Sequence, residues 1–274
     1  MTYGWAILII AIVLVALFSL GVFNSANFVP RAQSGSCQVI KTSAQTSLAG
    51  QCNGMLPQYV AQFNGQSSYI EINVPQKQLP LGNSQFTKVL WVYLASNNYD
   101  AQDLLCWGIS GITAEDNTLR TRSNLYQFRN YFWNDDLDWT SSHVVSGWNF
   151  IAITYNSVTE EGYVNGFNEG SFNPTPTPIV QYSNVIIGGH GLCGVDNFYA
   201  GYIANVQIYN SSLSANEIQA VYQEGIGGAP INLNSLIGWW PLNGNANDYS
   251  GNGNSGNATN VIYTSAWTSG YSTP

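Results

Sequence analysis

The sequence predicts an all-β protein, an antiparallel β-sandwich, carried behind an N-terminal hydrophobic α-helix. Three observations lead there. Short runs alternate apolar and polar residues and are separated by turn residues, the pattern of half-buried strands. An Asn165-Gly166 pair stands beside such runs, and Asn-Gly is a strong two-residue hairpin signal. From Trp5 to Phe23 the chain is instead one apolar stretch, with no charge before Arg31.

That stretch comes first. About 19 residues at 1.5 Å each give roughly 29 Å of helix, the thickness of a bilayer core. Tyr3 and Trp5 stand at one end, where amphipathic rings favour the headgroup region. A removable signal peptide is the alternative, but the basic start and small-residue cleavage site it needs are missing. We assign 1–28 to a transmembrane helix. Arg31 and Lys41 follow it and by themselves would put that side in the cytoplasm; the cysteines argue the opposite. Residues 29–56, rich in Ser, Gln, Ala and Gly, have linker composition, and 57–274 form the sandwich.

The cysteines are Cys37, Cys52, Cys106 and Cys193. None forms a CxxC pair, which disfavours zinc ribbons and thioredoxin-like chemistry. Three pairings exist, and we favour Cys37–Cys52 and Cys106–Cys193. Disulfides persist in oxidising compartments, so the chain beyond residue 37 is expected outside the cell. Four buried free thiols are the alternative. Sequons at Asn210 and Asn257 are compatible with export.

In the globule, Tyr69–Val74, Phe86–Leu94, Trp148–Tyr155 and Tyr202–Tyr209 read as strands. One helix interrupts them at Leu213–Tyr222. Ser214 and Glu217 form an S-x-x-E capping box before it, Gly225 stops it, and Ile218, Val221 and Tyr222 make its packing face.

Composition narrows the function. Only 8% of residues are charged, against roughly 25% in ordinary soluble domains. Seven basic against fifteen acidic residues give a formal charge of −8, which argues against nucleic acid as a partner. An aromatic content of 14% argues against disorder. No E-x-D-x-E cluster offers the paired carboxylates of glycoside hydrolysis. Glu160-Glu161 read as turn charges, and His143 and His190 lack a triad pattern. No catalytic residues are assigned and no enzyme is expected.

The richest constellation is Tyr131-Phe-Trp-Asn-Asp-Asp-Leu-Asp-Trp139. Trp133 and Trp139 could stack on sugar rings while Asp135, Asp136 and Asp138 accept hydroxyl protons. The alternative is two core tryptophans around a solvated acidic turn. Both readings stand at this point.

Several segments together resemble the laminin G-like, concanavalin A-like jelly-roll domain. They are Phe63-Asn-Gly-Gln-Ser-Ser-Tyr-Ile-Glu-Ile72, Trp148–Tyr155 with Tyr163-Val-Asn-Gly166, Ile186-Ile-Gly-Gly189, and Gly201–Asn210 followed by Leu213-Ser214. The resemblance covers roughly residues 56–224. A further segment, Leu236–Gly256, looks like that family's opening strand and first loop, yet here it comes last. We read a circular permutation, with 236–263 pairing beside the strand at 58–63; a truncated second repeat is the alternative. The resemblance also implies a structural calcium ion near Asp248, helped by Asn252 or Asn254. Its partner acidic position matches Asn205. Asp135–Asp138 is a rival cation site.

Residues 1–24 resemble the N-terminal helix of archaeal type IV pilin-like proteins, without that family's basic leader, processing site and Glu. Together these resemblances imply a membrane-anchored cell-surface adhesion protein. It would display a lectin-like sandwich that binds a glycan or another cell-surface ligand, and it could self-assemble into filaments through its helix. The alternatives are an anchored lectin-like protein that does not polymerise, and a glycan-active enzyme.

Overall fold

The computed structural model describes residues 37–42, 45–50, 52, 55–94, 101–122, 127–133, 136–181, 184–189 and 197–274. The helix expected over 1–28 lies outside them. Among the described residues no helix is long and apolar enough to cross a membrane.

The strands in chain order are β1 (Gln38–Lys41), β2 (Thr46–Ala49), β3 (Val60–Asn64), β4 (Tyr69–Asn73), β5 (Phe86–Leu94) and β6 (Asp103–Gly108). Then come β7 (Asp116–Arg122), β8 (Gln127–Tyr131), β9 (Asp136–Thr140), β10 (Gly147–Tyr155), β11 (Glu160–Val164) and β12 (Phe167–Phe172). The last are β13 (Asn184–Ile187), β14 (Ala200–Tyr209), β15 (Leu236–Trp240), β16 (Asn257–Thr259) and β17 (Ile262–Thr264), with helix α1 (Ala215–Gln223) after β14. Sheet I runs β12-β11-β10-β5-β14-β3-β17, with β15 also on β14; sheet II runs β16-β4-β13-β6-β7-β8-β9. All these pairings are antiparallel.

Local chemistry explains the best-defined turns. Asn165 (φ +48°) and Gly166 (φ +82°) join β11 to β12, the backbone signs of a type I′ hairpin. The Ser214 hydroxyl accepts from the Glu217 amide while the Glu217 carboxylate accepts from the Ser214 amide, which satisfies otherwise orphaned donors at the start of α1.

Two apolar layers hold the fold. Between the sheets lie Phe63, Ile70, Leu90, Val92, Leu105, Trp107, Leu119, Phe128, Ile151, Ile187, Ile203 and Trp240. The other side of sheet I is apolar too. There Val60, Val89, Trp91, Trp148, Phe150 and Trp239 pack under Ile218 and Val221 of α1 and Trp267 of the tail. Strands buried on both faces read as continuous apolar runs, as Phe86–Leu94 does.

The inter-sheet layer also contains Lys88, fully buried. Its ammonium donates to the Asn117 carbonyl (2.8 Å) and Asn130 Oδ1 (2.9 Å) and lies 4.5 Å from the centre of the Trp107 ring. The Asn130 amide in turn donates to Glu160. Since Lys88 and Glu160 belong to sheet I and Asn117 and Asn130 to sheet II, this network ties the layers together.

Two features depart from the expectation. The stretch of linker composition contains the β1–β2 hairpin, closed by a Cys37–Cys52 disulfide. Cys37 and Val39 are buried, and the Val39 amide donates to the Tyr249 carbonyl (2.9 Å). Richness in Ser, Gln, Ala and Gly therefore hid an ordered element. Secondly, β15 pairs with β14, not with β3; it is β17 that pairs with β3. The edge of β14 is shared end to end, Ala200–Ile203 holding β3 and Val206–Tyr209 holding β15. Asn205, at φ +49°, bends β14 between the two. Segment 236–264 thus adds strands to both sheets and forms no second repeat. Cys106 is buried and disulfide-bonded; Cys193 lies outside the described residues.

Candidate binding groove

The pleat divides the Tyr131–Trp139 constellation. Leu137 and Trp139 point between the sheets, while Asp136 and Asp138 point outward, because neighbours on a strand face opposite sides. Trp139 is buried and stacks on Phe128 at 5.9 Å, leaving no face for a sugar. Asp136 pairs with Arg129 Nη1 (2.7 Å), and Asp138 accepts from Arg129 Nε (2.6 Å). Trp133 is half-buried with φ +64°; Asp135 lies outside the described residues. The hollow beside Asp138 and Trp139 measures about 190 Å³, below the roughly 300–1,000 Å³ of ligand pockets.

The loop expected to hold calcium does not fit the ion. Calcium takes six to eight oxygen ligands. Asp248 Oδ1 already accepts from the Trp239 and Ser250 amides, and Oδ2 from the Ser250 hydroxyl and the Asn254 amide, at 2.8–3.1 Å. Asn252 and Asn254 turn their Nδ2 groups inward to the Ile237 carbonyl, at 2.7 and 3.0 Å. Asn205 Oδ1 is taken by Trp239 Nε1 (2.8 Å) and Gln207 Nε2 (3.1 Å). A cation is present nonetheless. Lys41 Nζ, delivered by the disulfide-closed hairpin, donates to Asn252 Oδ1 (2.7 Å) and the Leu236 carbonyl (3.1 Å). Among the described residues no group of three or more His, Cys, Asp or Glu side chains is gathered for a metal.

Nor do the acids and His143 form catalytic machinery. The Ser141 hydroxyl donates to Glu169 Oε1 (2.8 Å), and His143 Nδ1 meets the same oxygen at 2.7 Å. A nucleophilic serine must give its proton to the imidazole; this one gives it to the carboxylate. Asp103 and Asp116 are fully buried on sheet II. Burial pushes Asp103 up to about 7, against the pull of Arg120, and Asp116 up to about 6, against the Thr118 hydroxyl bond. The Arg120 Nε–Asp103 Oδ1 bond, at 2.7 Å, commits the first of them. His190 lies outside the described residues.

The outward face of sheet I carries a different surface. Five strands set Trp148 opposite Tyr93, and Gln62 opposite both Tyr202 and Ile262. The Tyr93 and Tyr202 rings meet edge to face at 5.4 Å, which completes a row across the sheet. The tail lies along it and forms a wall. Trp148 Nε1 donates to the Trp267 carbonyl (2.8 Å), the Trp148 amide to the Gly270 carbonyl (3.1 Å), and the Ile226 amide to Tyr271 Oη (3.2 Å). The approach is close enough to require glycine. A Cβ on Gly147 would stand 2.4 Å from the Gly270 oxygen, and both residues have positive φ.

Between wall and sheet runs a groove of about 520 Å³, with Gln62, Tyr93, Tyr202, Trp267 and Ser269 among its lining. Among the described residues no Asp, Glu, His, Lys or Arg lines it. Tyr93, Tyr202 and Gln62 are half-buried and Ser269 is exposed. The groove can thus offer aromatic faces, phenol and amide hydrogen bonds and no charge. None of these residues was singled out from the sequence. The available signal was parity: Trp91 and Tyr93, like Tyr202 and Ala204, alternate with the inter-sheet residues.

A family model described as the concanavalin A-like lectin/glucanases superfamily matches residues 64–219, more than half of the chain. The chain belongs to this superfamily. Among solved structures, a Bacteroides ovatus protein provisionally assigned to carbohydrate binding is similar, with 16% identity, a TM-score of 0.59, and 85% of this chain and 70% of that one covered. The heptameric SAP-like pentraxin of Limulus polyphemus is similar at 13% identity and TM-score 0.53, over 75% of this chain and 94% of that one. At such identities the likeness is one of fold. Comparison with curated proteins finds no match. The matched range spans β4 to α1, while most of β3, the strands β15 to β17 and the groove wall lie beyond it.

Proposed function

We propose that the protein binds carbohydrate in this groove and that it is a binding module, not an enzyme. The observation that carries the proposal is the uncharged aromatic row Tyr93–Tyr202, walled by Trp267 and ended by the Gln62 amide. Sugars present C–H faces that suit aromatic rings and hydroxyls that suit amides and phenols. Superfamily membership and the carbohydrate assignment of the Bacteroides ovatus structure support the reading. That none of the described residues lining the groove is an acid supports binding over hydrolysis.

The test is a Tyr202→Ala variant, measured by glycan array and titration calorimetry. An affinity loss of about tenfold, about 1.4 kcal/mol, is expected. If Trp133→Ala abolished binding while Tyr202→Ala kept it, the site would belong to the 131–139 loop instead.

The proposal extends to display at the cell surface. The apolar run Trp5–Phe23 supports membrane anchoring, and the Cys37–Cys52 disulfide supports an oxidising, extracellular location for the sandwich. Packing of such helices would build a filament. Recovery of the full-length protein in detergent micelles only as monomer, with no filaments on cells, would favour a lone anchored module.

A further inference from the structure

We infer that the groove selects uncharged glycans and rejects sugars that carry carboxylate, sulfate or phosphate. This inference rests on the carbohydrate reading of the same groove and names its ligand class.

The first argument is local. An anion taken out of water needs a cation or several strong donors to replace its hydration. The groove supplies tyrosine hydroxyls, the amides of Gln62 and Asn64, a serine and aromatic faces, but among the described residues no lysine, arginine or histidine. A neutral sugar needs no more than these.

The second argument is an inventory of the cations. The chain has seven basic residues. Lys41 is bonded to Asn252 and Leu236, and Lys88 is sealed between the sheets. Arg120 pairs with Asp103, and Arg129 with Asp136 and Asp138. Arg122 lies 3.7 Å from Asp138, in the hollow on sheet II. Lys77 is exposed, one residue before the Gln78 side chain that receives the Asn254 amide. Arg31 lies outside the described residues. Among the described residues, therefore, every cation belongs to a surface other than the groove.

The third argument is long-range. With a formal charge of −8, the whole molecule repels an approaching anion, which lowers its association rate before any contact forms.

The test presents the full-length protein with matched pairs on one array: neutral oligosaccharides and the same structures capped with sialic acid, sulfate or a uronic acid. Each pair is read at low and high salt. The expected result is at least about tenfold weaker retention of every charged member. Part of that penalty should shrink at high salt, where the net-charge repulsion is screened. A Gln62→Lys variant should narrow the neutral-to-anionic ratio by about tenfold. Equal or tighter binding of the charged members by the unaltered protein would overturn this inference alone. Binding to no sugar in either class would overturn the carbohydrate reading and this inference with it. A ratio unmoved by Gln62→Lys would place selection outside the groove and also overturn the inference.

Discussion

The outward faces of the two sheets are built from opposite materials. On sheet II, Arg120, Arg122 and Arg129 share one side of β7 and β8 and meet Asp103, Asp136 and Asp138. On sheet I, the outward face has a row of rings ended by the Gln62 amide, and none of the described residues lining its groove is charged. Both faces are elaborate, yet only one has unspent recognition capacity. An arginine already bridged to two aspartates offers little to a ligand, because each bond to it must first be broken. The half-buried Tyr93 and Tyr202 rings are open to a partner without such loss. Charge in this protein holds structure, and aromatic surface is left for binding.

Substitutions on the two faces should therefore part stability from affinity. The largest effect is expected from Arg120→Met. It leaves Asp103, 1% exposed, without its partner, and breaking a buried pair costs about 3–5 kcal/mol. Chemical denaturation should show that loss, while glycan affinity measured where the variant is folded should not change. A loss of affinity as large as that of stability would join the two faces and end the distinction.

A pH series comes next. Burial raises Asp103 to about 7 and Asp116 to about 6 from an ordinary 3.8, so the native state holds these protons longer than the unfolded chain does. Stability should fall as pH rises from about 4 towards 7. Lys88 moves the other way, lowered by burial from 10.5 to about 7. Between 7 and 10.5 the unfolded chain binds the extra proton, and stability should recover. Urea midpoints should thus pass through a shallow minimum near neutrality. Glycan affinity should stay flat from pH 5 to about 8, a range in which only His among free side chains ordinarily titrates, since among the described residues no acid or histidine lines the groove.

Tyr202→Ala is the converse of the arginine variant. Its affinity loss should come with a stability change of about 1 kcal/mol or less, because the ring is half-exposed. The smallest effect concerns Lys41. Its side chain is surface-exposed, so Lys41→Met should cost no more than about 1 kcal/mol, and Lys41→Arg less. The Tm of the unaltered protein should be indifferent to EGTA. A Tm that climbed with added calcium, and no longer did so in Asp248→Asn, would overturn the reading that this loop does not fit the ion.

Much of this frame was readable in the chain. The strand expected at Phe86–Leu94 is β5, residue for residue, since six of its nine residues are β-branched or aromatic and leave little choice. Asn165-Gly166 and the Ser214–Glu217 box are local chemistry, and local chemistry survives the absence of a structure. What escaped was relational. Asp-Leu-Asp-Trp alternates in steps of two, a strand pattern that would already have turned Trp139 inward. The groove joins residues 62, 93 and 202 to a wall at 266–269, and no sequence window spans that distance. Nothing in the Phe86–Leu94 run marks Lys88 as buried; only the facing Asn117 carbonyl and Asn130 Oδ1 explain it.

The hairpin ahead of the sandwich has a mechanical consequence. Tension drawn from the N-terminal side enters the described fold at Cys37, and the bond to Cys52 spans 15 residues. Extended, that loop would reach roughly 50 Å, but its ends are locked at a Cα separation of 4.9 Å. The load bypasses the loop, so the Val39–Tyr249 and Lys41–Asn252 bonds inside it are spared, and it passes through Cys52 to the chain that leads into β3. A sandwich tugged by whatever it grips would therefore be held on a short inextensible leash, and reducing one sulfur–sulfur bond would turn that leash into a slack one.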